Sequence, residues 1–367
     1  MDKQTVINDL KNLGFELCGW VSLDSKNLEK LTTATSRYEE WLSQGWHGGL
    51  HYLERHAAIK SDPTQFFAKA QSILVVGLPY TQNAAHARMQ NSGTKVHISS
   101  YVRSQDYHNT IYSKLDIFMK SHKLRGRAFV DAQPVFDRSW ALLSGLGWIG
   151  RNSLLINQDL GSFFFIGGLV LDSPAPDSFD VPSLHDDRCG KCTRCITACP
   201  TDAIDYESRM VDSKKCIAFH TVENKNFVSI ELATKFSGWL HGCDICQDVC
   251  PWNKKALRSS SERNHSTENL LFNKSLEVLT QTTHTSFNTD HKLFATLRVR
   301  YWGFMRNLAV AIFSHPELTN EKKSALLLQI LTTTNAESEK AEPHIKKNLC
   351  DVITYIDLLL RYLESAN

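Results

Sequence analysis

The sequence lacks the features that would place the protein in or beyond a membrane. Its 367 residues contain no run of about eighteen apolar residues, the length that a spanning helix needs. Residues 1–20 mix acidic with basic side chains and have no small-residue cleavage site, so they do not predict a signal peptide. Val6, Ile7, Leu10 and Leu13 instead recur at helical spacing. We therefore expect an N-terminal helix and a cytoplasmic protein with no membrane partner.

A dominant charge is also missing. The 41 Lys and Arg residues are nearly balanced by 39 Asp and Glu residues, and the formal net charge is only +2. Overall charge therefore gives no argument for a nucleic-acid partner. At 42% hydrophobic residues, a chain of this length can build two or three domains, each with its own core.

Cysteine is scarce except in one segment. Of the ten cysteines, eight lie between Cys189 and Cys250, and only Cys18 and Cys350 stand apart. For these two we expect small, buried apolar side chains. The first group, CGKCTRCITACP, has the spacing C-x2-C-x2-C-x3-C-P. The second adds Cys216 to a later C-x2-C-x3-C-P group.

Clustered thiols can form disulfides, bind zinc or hold iron. Disulfides are disfavoured in the cytoplasm, and zinc sites usually use two C-x2-C pairs separated by a finger loop. The spacing here is that of bacterial two-cluster ferredoxins, in which the cysteine before proline binds the other cluster. We therefore predict two [4Fe-4S] clusters with exchanged fourth ligands. The predicted ligands are Cys189, Cys192, Cys195 and Cys250 for cluster 1, and Cys199, Cys216, Cys243 and Cys246 for cluster 2.

The chain divides into three regions by pattern. Residues 1–185 predict an α/β domain, residues 186–256 a ferredoxin-like domain, and residues 257–367 a polar linker followed from about residue 291 by a helical tail. In the first region SILVVGLPY and SFFFIGGLVLD predict buried strands, YHNTIYSKLDIFMKSH predicts a helix, and GLGWIGRNS is a glycine-rich loop that would allow close approach of a ligand. The tail predicts two or three antiparallel helices, similar to a short helical repeat.

Four motifs, together with the eight clustered cysteines, resemble the epoxyqueuosine reductase family. In chain order they are GWHGGLHYLERHAAIKSDP, SQDYH, FVDAQPVFDRSWALLSGLGWIGRNS and GSFFFIGGLVLD, and YWGFMRNLAVAI continues the likeness into the tail. The resemblance, strongest over residues 40–256, implies an enzyme that reduces epoxyqueuosine to queuosine at the wobble position of tRNA. It also implies a cobalamin-binding domain of α/β or α+β type and two [4Fe-4S] clusters. As partners we expect an external electron donor, and we expect the protein to be a monomer.

The resemblance places the family's catalytic acid at Asp131, in VDAQPV, where Ala132 departs from the Ser or Thr of the family. Removal of the epoxide oxygen as water requires a proton donor. A carboxyl group whose pKa is raised by a dry pocket can donate a proton at neutral pH. The structural alternative for Asp131 is a turn residue before Pro134. Asp137 is the second candidate acid, with an ion pair to Arg138 as its alternative.

The resemblance also implies positions that line cobalamin, although each could be ordinary packing. They are Lys60, Ser99, Asp131, Leu155, Ile166, Ala218, Asp244 and Ile245. Tyr107 and His108 either line the pocket or begin a helix. The D-x-H-x-x-G segment that supplies a histidine to cobalt in other cobalamin proteins is missing, because neither Asp106 nor Asp290 begins such a segment. We therefore expect no histidine ligand from this motif.

Two basic segments are candidates for RNA contact, because phosphates bind cations and exposed bases stack on aromatic rings. They are Lys120–Arg127 and Arg298–Arg306. The individual candidates are Arg298, Arg300 and Lys225. The alternative for the second segment is a helix face with Tyr301, Trp302 and Phe304 in the core. The anticodon loop is single-stranded, so its modified base could enter a pocket.

Two other functional classes fit part of the pattern. A reductive dehalogenase would share cobalamin and both clusters, but usually has a twin-arginine export signal, which residues 1–20 do not resemble. An iron–sulfur electron-carrier subunit would need only the cluster domain. The large α/β region with its glycine-rich loop instead predicts a reaction site.

Overall fold

Helices make up most of the structure, and short strands form one main sheet. The computed structural model describes residues 2–80, 95–179, 187–259, 271 and 274–365. In these ranges the α-helices are α1 (Lys3–Asn12), α2 (Ser25–Ser43), α3 (His51–Ser61), α4 (Pro63–Phe66), α5 (Tyr107–Ser121), α6 (Asp137–Leu143), α7 (Arg194–Ala198), α8 (Ile217–Val222), α9 (Ile230–Ala233), α10 (Ile245–Asp248), α11 (Pro251–Ser259), α12 (Leu276–Thr280), α13 (His284–His291), α14 (Arg300–Phe313), α15 (Asn320–Lys340) and α16 (Pro343–Ser365). The strands are β1 (Leu17–Ser22), β2 (Ser72–Pro79), β3 (His97–Ile98), β4 (Gly126–Val130), β5 (Trp148–Ile149), β6 (Leu155–Ile156), β7 (Phe164–Leu171) and β8 (Trp239–His241). No helix within these described ranges is both long and apolar enough to cross a bilayer.

The two apolar runs predicted as buried strands form the centre of the main sheet. They are β2 and β7, and the strand order is β1-β2-β7-β4 with every neighbouring pair antiparallel. Their residues are apolar on both sides because both faces of the sheet are covered. Mixed α and β structure is thus confirmed, and the antiparallel pairing gives it the α+β form.

Helices cover the sheet on two sides. On one face Val75 packs in a core with Trp140 of α6 and residues of α2. On the other face Val6 and Leu10 of α1 pack with Leu115 of α5. The predicted N-terminal helix and the predicted helix after residue 107 are therefore confirmed, and both bury the apolar stripe that their periodicity indicated.

One end of the main sheet carries Asp131, the first candidate acid. Val130, the last residue of β4, pairs with Gly167 near the start of β7, so Asp131 leaves the sheet at that end. The basic segment Lys120–Arg127 lies at the other end of β4. Five strand residues at about 3.3 Å each separate the two ends by on the order of 15 Å. This segment is therefore remote from Asp131.

The cysteine-rich segment contains two short helices that pack against each other, α7 and α10. Each carries one cysteine and ends just before a Cys-Pro pair. Strand β3 runs parallel to β8, so a segment of the N-terminal half lies beside the cysteine-rich segment. This pairing brings the two regions of sequence to one place.

The predicted helices of the tail are confirmed as α14, α15 and α16. Helix α14 is buried around most of its circumference and contacts the other two helices and β8. The stretch 257–290, predicted as a polar linker, contains α12 and most of α13, while residues 260–270, 272 and 273 lie outside the described residues. The prediction of a linker therefore fails for its second part, which packs on the tail.

The two isolated cysteines differ from one another. Cys18 is partly buried in β1 beside the core, close to the expected state. Cys350 is exposed, so the expectation of a buried side chain is wrong there. Helix α16 turns Leu349 and Val352 inward, and Cys350 falls on its outer face, where Sγ lies 3.7 Å from Ser338 Oγ.

Candidate active site

A cavity of about 840 Å³ lies at the end of the sheet where β4 stops and β7 begins. Its walls come from α2, α3, the end of the sheet, the β5–β6 hairpin and the cysteine-rich segment. Gly242 follows β8 with a left-handed φ of 66°, and a Cβ there would lie 2.5 Å from the Cβ of Ser99. Glycine at this position therefore lets two wall segments meet closely.

Asp131 faces this cavity from the residue after β4. Its backbone has a left-handed φ of 51°, which Asp and Asn tolerate better than most residues. Tyr107 Oη donates a hydrogen bond of 2.6 Å to Asp131 Oδ2, and His108 Nε2 lies 3.6 Å from the same oxygen. The other nitrogen of His108 lies 2.7 Å from Asp106 Oδ1. The Asp131 side chain is 55% exposed because it borders the cavity.

The electrostatics of this group differ from the expectation. Desolvation by the surrounding cavity walls alone would raise the pKa of Asp131, but the nearby His108 ring and the hydrogen bond from Tyr107 outweigh it and lower that pKa. Burial alone would lower the pKa of His108, yet the hydrogen bond to Asp106 and the nearby Asp131 carboxylate raise it to about 9. The prediction of a raised pKa at Asp131 is therefore wrong for this arrangement. At neutral pH the proton resides on His108.

Lys60 lies on the same wall. Its Nζ donates a hydrogen bond of 3.1 Å to the Val135 carbonyl and lies 5.6 and 5.4 Å from the ring centroids of Tyr38 and Phe136. Burial lowers the pKa of this ammonium group. Asp137, the second candidate acid, also borders the cavity and has its predicted partner, Arg138, at 4.0 Å.

The basic segment at residues 298–306 divides into two environments. Arg298 borders the cavity and forms an ion pair of 2.9 Å with Glu223, while Arg300 is exposed. Arg306 is buried and donates hydrogen bonds of 2.8, 2.9 and 3.0 Å to the carbonyls of Asn224, Asn226 and His220. It is therefore a structural residue rather than a phosphate ligand.

Tyr301 and Phe304 are buried in the tail core, and Trp302 is partly buried against it. These aromatic residues therefore match the alternative of a helix face packed in the core. Lys225, the remaining RNA candidate, is exposed in the loop after α8.

The eight clustered cysteines fall into two neighbourhoods. Burial, with smaller contributions from the nearby Cys189 and Cys250, raises the pKa of Cys195 to about 11. Burial likewise raises the pKa of Cys246, with further contributions from Cys216, from Cys195 of the first neighbourhood, and from Cys199. Cysteines bind metal as thiolates, so a cluster bound here would have to offset this cost of ionising buried thiols.

The two neighbourhoods lie at different depths relative to the cavity. The four predicted cluster 2 cysteines border it: Cys199, Cys216, Cys243 and Cys246. The four predicted cluster 1 cysteines are described residues that lie outside this lining, and two of them, Cys189 and Cys250, pack with Trp148 and Trp252. A cluster held by the first set would therefore face the cavity, and one held by the second set would lie behind it.

Comparison with known proteins joins the cavity and the cysteine-rich segment in one family. A family model described as "Epoxyqueuosine reductase QueG, DUF1730" matches residues 60–132, and one described as "4Fe-4S double cluster binding domain" matches residues 188–253. The epoxyqueuosine reductase of Cyclobacterium marinum is 36% identical over 312 residues, which are 83% of this chain and 95% of that protein. The chain belongs to the epoxyqueuosine reductase family. The epoxyqueuosine reductase of Vibrio cholerae is 31% identical and covers 94% of this chain and 91% of its own length.

Solved structures of epoxyqueuosine reductases share this fold. The structure from Streptococcus thermophilus has a TM-score of 0.75 at 20% identity and covers 99% of both chains. A structure of an epoxyqueuosine reductase with an epoxyqueuosine-modified tRNA-Tyr stem loop has a TM-score of 0.70 at 21% identity and covers 98% of both chains. The family predicted from the motifs is thus confirmed, and the dehalogenase and carrier-subunit alternatives are set aside.

The cobalamin-lining positions implied by the family resemblance gather around the cavity. Seven of them border it: Lys60, Ser99, Asp131, Leu155, Ile166, Ala218 and Ile245. Asp244 does not. It is fully buried and accepts hydrogen bonds from Ser99 Oγ, Ser100 Oγ and the Ser100 amide. Asp244 therefore fixes the wall segment that contains Ser99.

The cavity residues fit a large, partly polar cofactor. The walls combine apolar side chains such as Leu142 and Phe164 with donors such as Lys60 and Asn152. The Nδ1 atom of His56, another wall residue, is buried without a hydrogen-bond partner among the described residues. A cavity of about 840 Å³ with such a lining has the size and chemistry of a cofactor site.

Sequence reasoning missed much of the wall formed by α2 and α3. Tyr52, His56 and Lys60 are four residues apart on α3, so their side chains share one face of that helix. That spacing could have indicated Tyr52 and His56 once Lys60 was chosen. Tyr38 and Trp41 of α2 are three residues apart on another wall. Nothing in their local sequence separates them from ordinary core aromatics.

Proposed function

We propose that this chain reduces epoxyqueuosine to queuosine at the wobble position of tRNA, using cobalamin and two [4Fe-4S] clusters. The observation that carries the proposal is that Asp131 and the four predicted cluster 2 cysteines border one cavity. A relative's structure with an epoxyqueuosine-modified stem loop supports tRNA as the substrate class. An acid and an electron source facing the same space are what the reduction requires.

Conversion of the epoxide to an alkene consumes two electrons and two protons and releases one water. Cobalamin in the cavity would supply the electrons to the reacting carbon. Asp131 would deliver a proton to the departing oxygen, since its carboxyl group faces the cavity. His108 holds a proton at neutral pH beside Asp131 Oδ2 and would recharge it. Exclusion of water by a bound cofactor and substrate would raise the pKa of Asp131 and favour this transfer.

A separate set of residues would hold each cofactor. Cys199, Cys216, Cys243 and Cys246 would hold cluster 2 against the cavity, and Cys189, Cys192, Cys195 and Cys250 would hold cluster 1 on its outer side. The residues that would surround cobalamin are Lys60, Ser99, Asp131, Leu155, Ile166, Ala218 and Ile245. The corresponding domains are residues 1–185 for the cavity and sheet, 186–256 for the clusters and 257–367 for the tail. Core packing between β3 and the tail supports an assembly in which these domains interlock.

The proposal is tested by mass spectrometry of tRNA nucleosides from a strain lacking this gene. Epoxyqueuosine should accumulate in place of queuosine, and expression of the wild-type chain should restore queuosine. Expression of a Cys246→Ala variant should not, because that residue is a predicted ligand on the cavity wall. Normal queuosine in the deletion strain would contradict the proposal.

A further inference from the structure

The loop that carries three of the cluster 1 cysteines has a cation immediately before each cysteine. The sequence is RCGKCTRC, in which Arg188, Lys191 and Arg194 alternate with cysteines, and all three cations are exposed. Two acids precede them: Asp187 is engaged in an ion pair of 2.7 Å with Arg209, and Asp186 lies outside the described residues. Arg188 donates to Gln158 and lies 5.9 Å from the Trp148 ring. The loop therefore presents three exposed cations next to three of the predicted cluster 1 cysteines.

This surface is separate from the cavity. Arg188, Lys191 and Arg194 are described residues outside the cavity lining, whereas Arg298 and the cluster 2 cysteines belong to it. A base that enters the cavity from tRNA would therefore approach a different part of the molecule. We therefore do not expect the basic loop to contact that base.

The position of the loop fits electron entry. The cluster 1 cysteines lie behind the cavity, and those in the loop are only partly buried. Electron transfer between proteins requires a close approach of the two redox centres but no lasting contact. A basic surface attracts an acidic carrier, speeds the encounter and weakens as ionic strength increases. Such transient redox complexes have small interfaces, in which a few exposed cations can supply the electrostatic attraction.

We propose that Arg188, Lys191 and Arg194 form the docking surface for a small acidic ferredoxin that reduces cluster 1. Each encounter transfers one electron from the reduced ferredoxin to the cluster, and the ferredoxin leaves oxidised. Two encounters supply the two electrons that one epoxide consumes, and no atom is exchanged. The inference rests on the proposed function, because it requires cluster 1 at these cysteines.

The test compares reduction of the clusters by two donors of opposite charge. The holoprotein and the variant Arg188→Glu/Lys191→Glu/Arg194→Glu are mixed anaerobically with a reduced, acidic plant-type ferredoxin or with reduced methyl viologen, a small cation. The ferredoxin rate constant should fall by about ten- to a hundredfold in the variant, as expected for loss of electrostatic steering. The methyl viologen rate should stay the same or increase. A second variant, Lys191→Glu/Arg194→Glu, leaves the Arg188 contacts with Gln158 and Trp148 intact, so a folding defect at Arg188 cannot imitate the result.

Binding gives a readout that is independent of turnover. Oxidised ferredoxin titrated into the holoprotein should bind the triple variant at least about tenfold more weakly at low ionic strength, and the difference should shrink at about 0.5 M salt. The matched control is Lys120→Glu/Lys123→Glu/Arg125→Glu, the same charge change on exposed residues at the far end of β4. It should bind ferredoxin like the wild type.

Three results would overturn the inference. Equal losses with ferredoxin and methyl viologen would mean that the cations act on the cluster itself. Unchanged ferredoxin binding would place the donor on another surface. Loss of tRNA binding in the triple variant, with ferredoxin binding intact, would make the loop an RNA surface. Wild-type protein that fails to hold close to eight iron atoms, the content of two [4Fe-4S] clusters, would instead contradict the proposed function.

Discussion

Asp131 and His108 show why a single residue's role depends on its neighbours. The motif VDAQPV indicated Asp131, and its position on the cavity wall supports that choice. The direction of its pKa could not be predicted, because Tyr107 and His108 are more than twenty positions away in sequence and meet the carboxylate only in the fold. The Tyr107 hydrogen bond and the nearby His108 ring outweigh the desolvation that the motif alone suggested. The acid is therefore a hydrogen-bonded group rather than an isolated carboxyl.

Replacement of Asp131 by Asn should separate proton delivery from cofactor binding. Asn tolerates the left-handed backbone at this position and keeps the side-chain shape, but cannot donate the carboxyl proton. Cobalamin and iron contents should remain at the wild-type level in absorption spectra and metal analysis. Turnover of epoxyqueuosine in tRNA should fall by about two to four orders of magnitude, the usual contribution of a positioned acid.

Asp137→Asn provides the matched comparison, because Asp137 borders the same cavity and pairs with Arg138. Near-normal turnover in Asp131→Asn together with loss of turnover in Asp137→Asn would assign the acid to Asp137. Activity in both variants would make water or the substrate the proton source.

The raised pKa of His108 predicts a pH-dependent contribution to stability. The folded-state value of about 9 exceeds the unfolded value of about 6.5, so the contribution is complete below about pH 6.5 and is lost as pH rises through 9. His108→Gln should lower the free energy of unfolding by on the order of 2 kcal/mol at about pH 6 and by much less at about pH 9.5. Asp131, whose pKa is lowered, stays ionised at both values and does not alter this comparison.

Thermal unfolding of the wild type and His108→Gln at the two pH values measures this difference. The variant should unfold a few degrees lower near pH 6 and close to the wild type near pH 9.5. A gap that is equal at both pH values would show that His108 stabilises the site as a neutral ring, without the ion pairs to Asp106 and Asp131.

At the scale of elements, strongly periodic segments were predictable and short irregular ones were not. Sequence periodicity correctly predicted strands β2 and β7 and helices α1 and α5, because the burial pattern of each is local. Strand β3 has only two residues and pairs with β8 from a distant part of the sequence, so no local pattern marks it. Helices α12 and α13 lie in a polar stretch, where tail packing rather than hydrophobic periodicity specifies them.

The two short helices α7 and α10 make the exchanged ligation testable. Cys199 ends the first motif, yet its neighbours in the fold include Cys216 and Cys246. Cys199→Ala should therefore damage the cluster held by Cys216, Cys243 and Cys246 and spare the one held by Cys189, Cys192 and Cys195. Electron paramagnetic resonance of the reduced protein should show loss of one cluster signal, and iron should fall toward four atoms per chain.

Cys250→Ala is the matched variant, since Cys250 ends the second motif but lies near Cys189 and Cys192. It should remove the other signal. If each variant instead removes the cluster of its own motif, the ligands are not exchanged and each motif holds its cluster alone.

At the scale of the whole molecule, the cavity is a product of three regions that no local pattern connects. Asp131 comes from the end of the sheet, Tyr52 and His56 from α3, and Arg298 from the segment before α14. The cysteine spacing indicated iron, and the motifs indicated the family. Which side chains surround the cavity depends on how α2 and α3 pack over the sheet and the cysteine-rich segment, and that packing is not encoded in any one motif.

The same assembly decides where tRNA should bind. Arg298 borders the cavity and Arg300 is exposed beside it, whereas Lys120 and Lys123 are at the far end of β4. An anticodon base that reaches Asp131 would bring its phosphates near the first pair of cations and not the second. Arg298→Glu/Arg300→Glu should therefore weaken tRNA binding and flatten its dependence on salt, because each lost phosphate contact reduces the slope by about one. Cobalamin and iron contents should be unchanged.

Two further variants make this prediction specific. Lys120→Glu/Lys123→Glu introduces the same charge change and should leave tRNA affinity close to that of the wild type. Glu223→Gln removes the partner of Arg298 without adding a charge near it, so it frees the guanidinium for a phosphate and should strengthen tRNA binding. Equal weakening by both double variants in a salt titration would mean that tRNA responds to total charge. Unchanged affinity in Arg298→Glu/Arg300→Glu, with or without Glu223→Gln, would mean that the Arg298–Glu223 pair supports the cavity wall and that tRNA binds elsewhere.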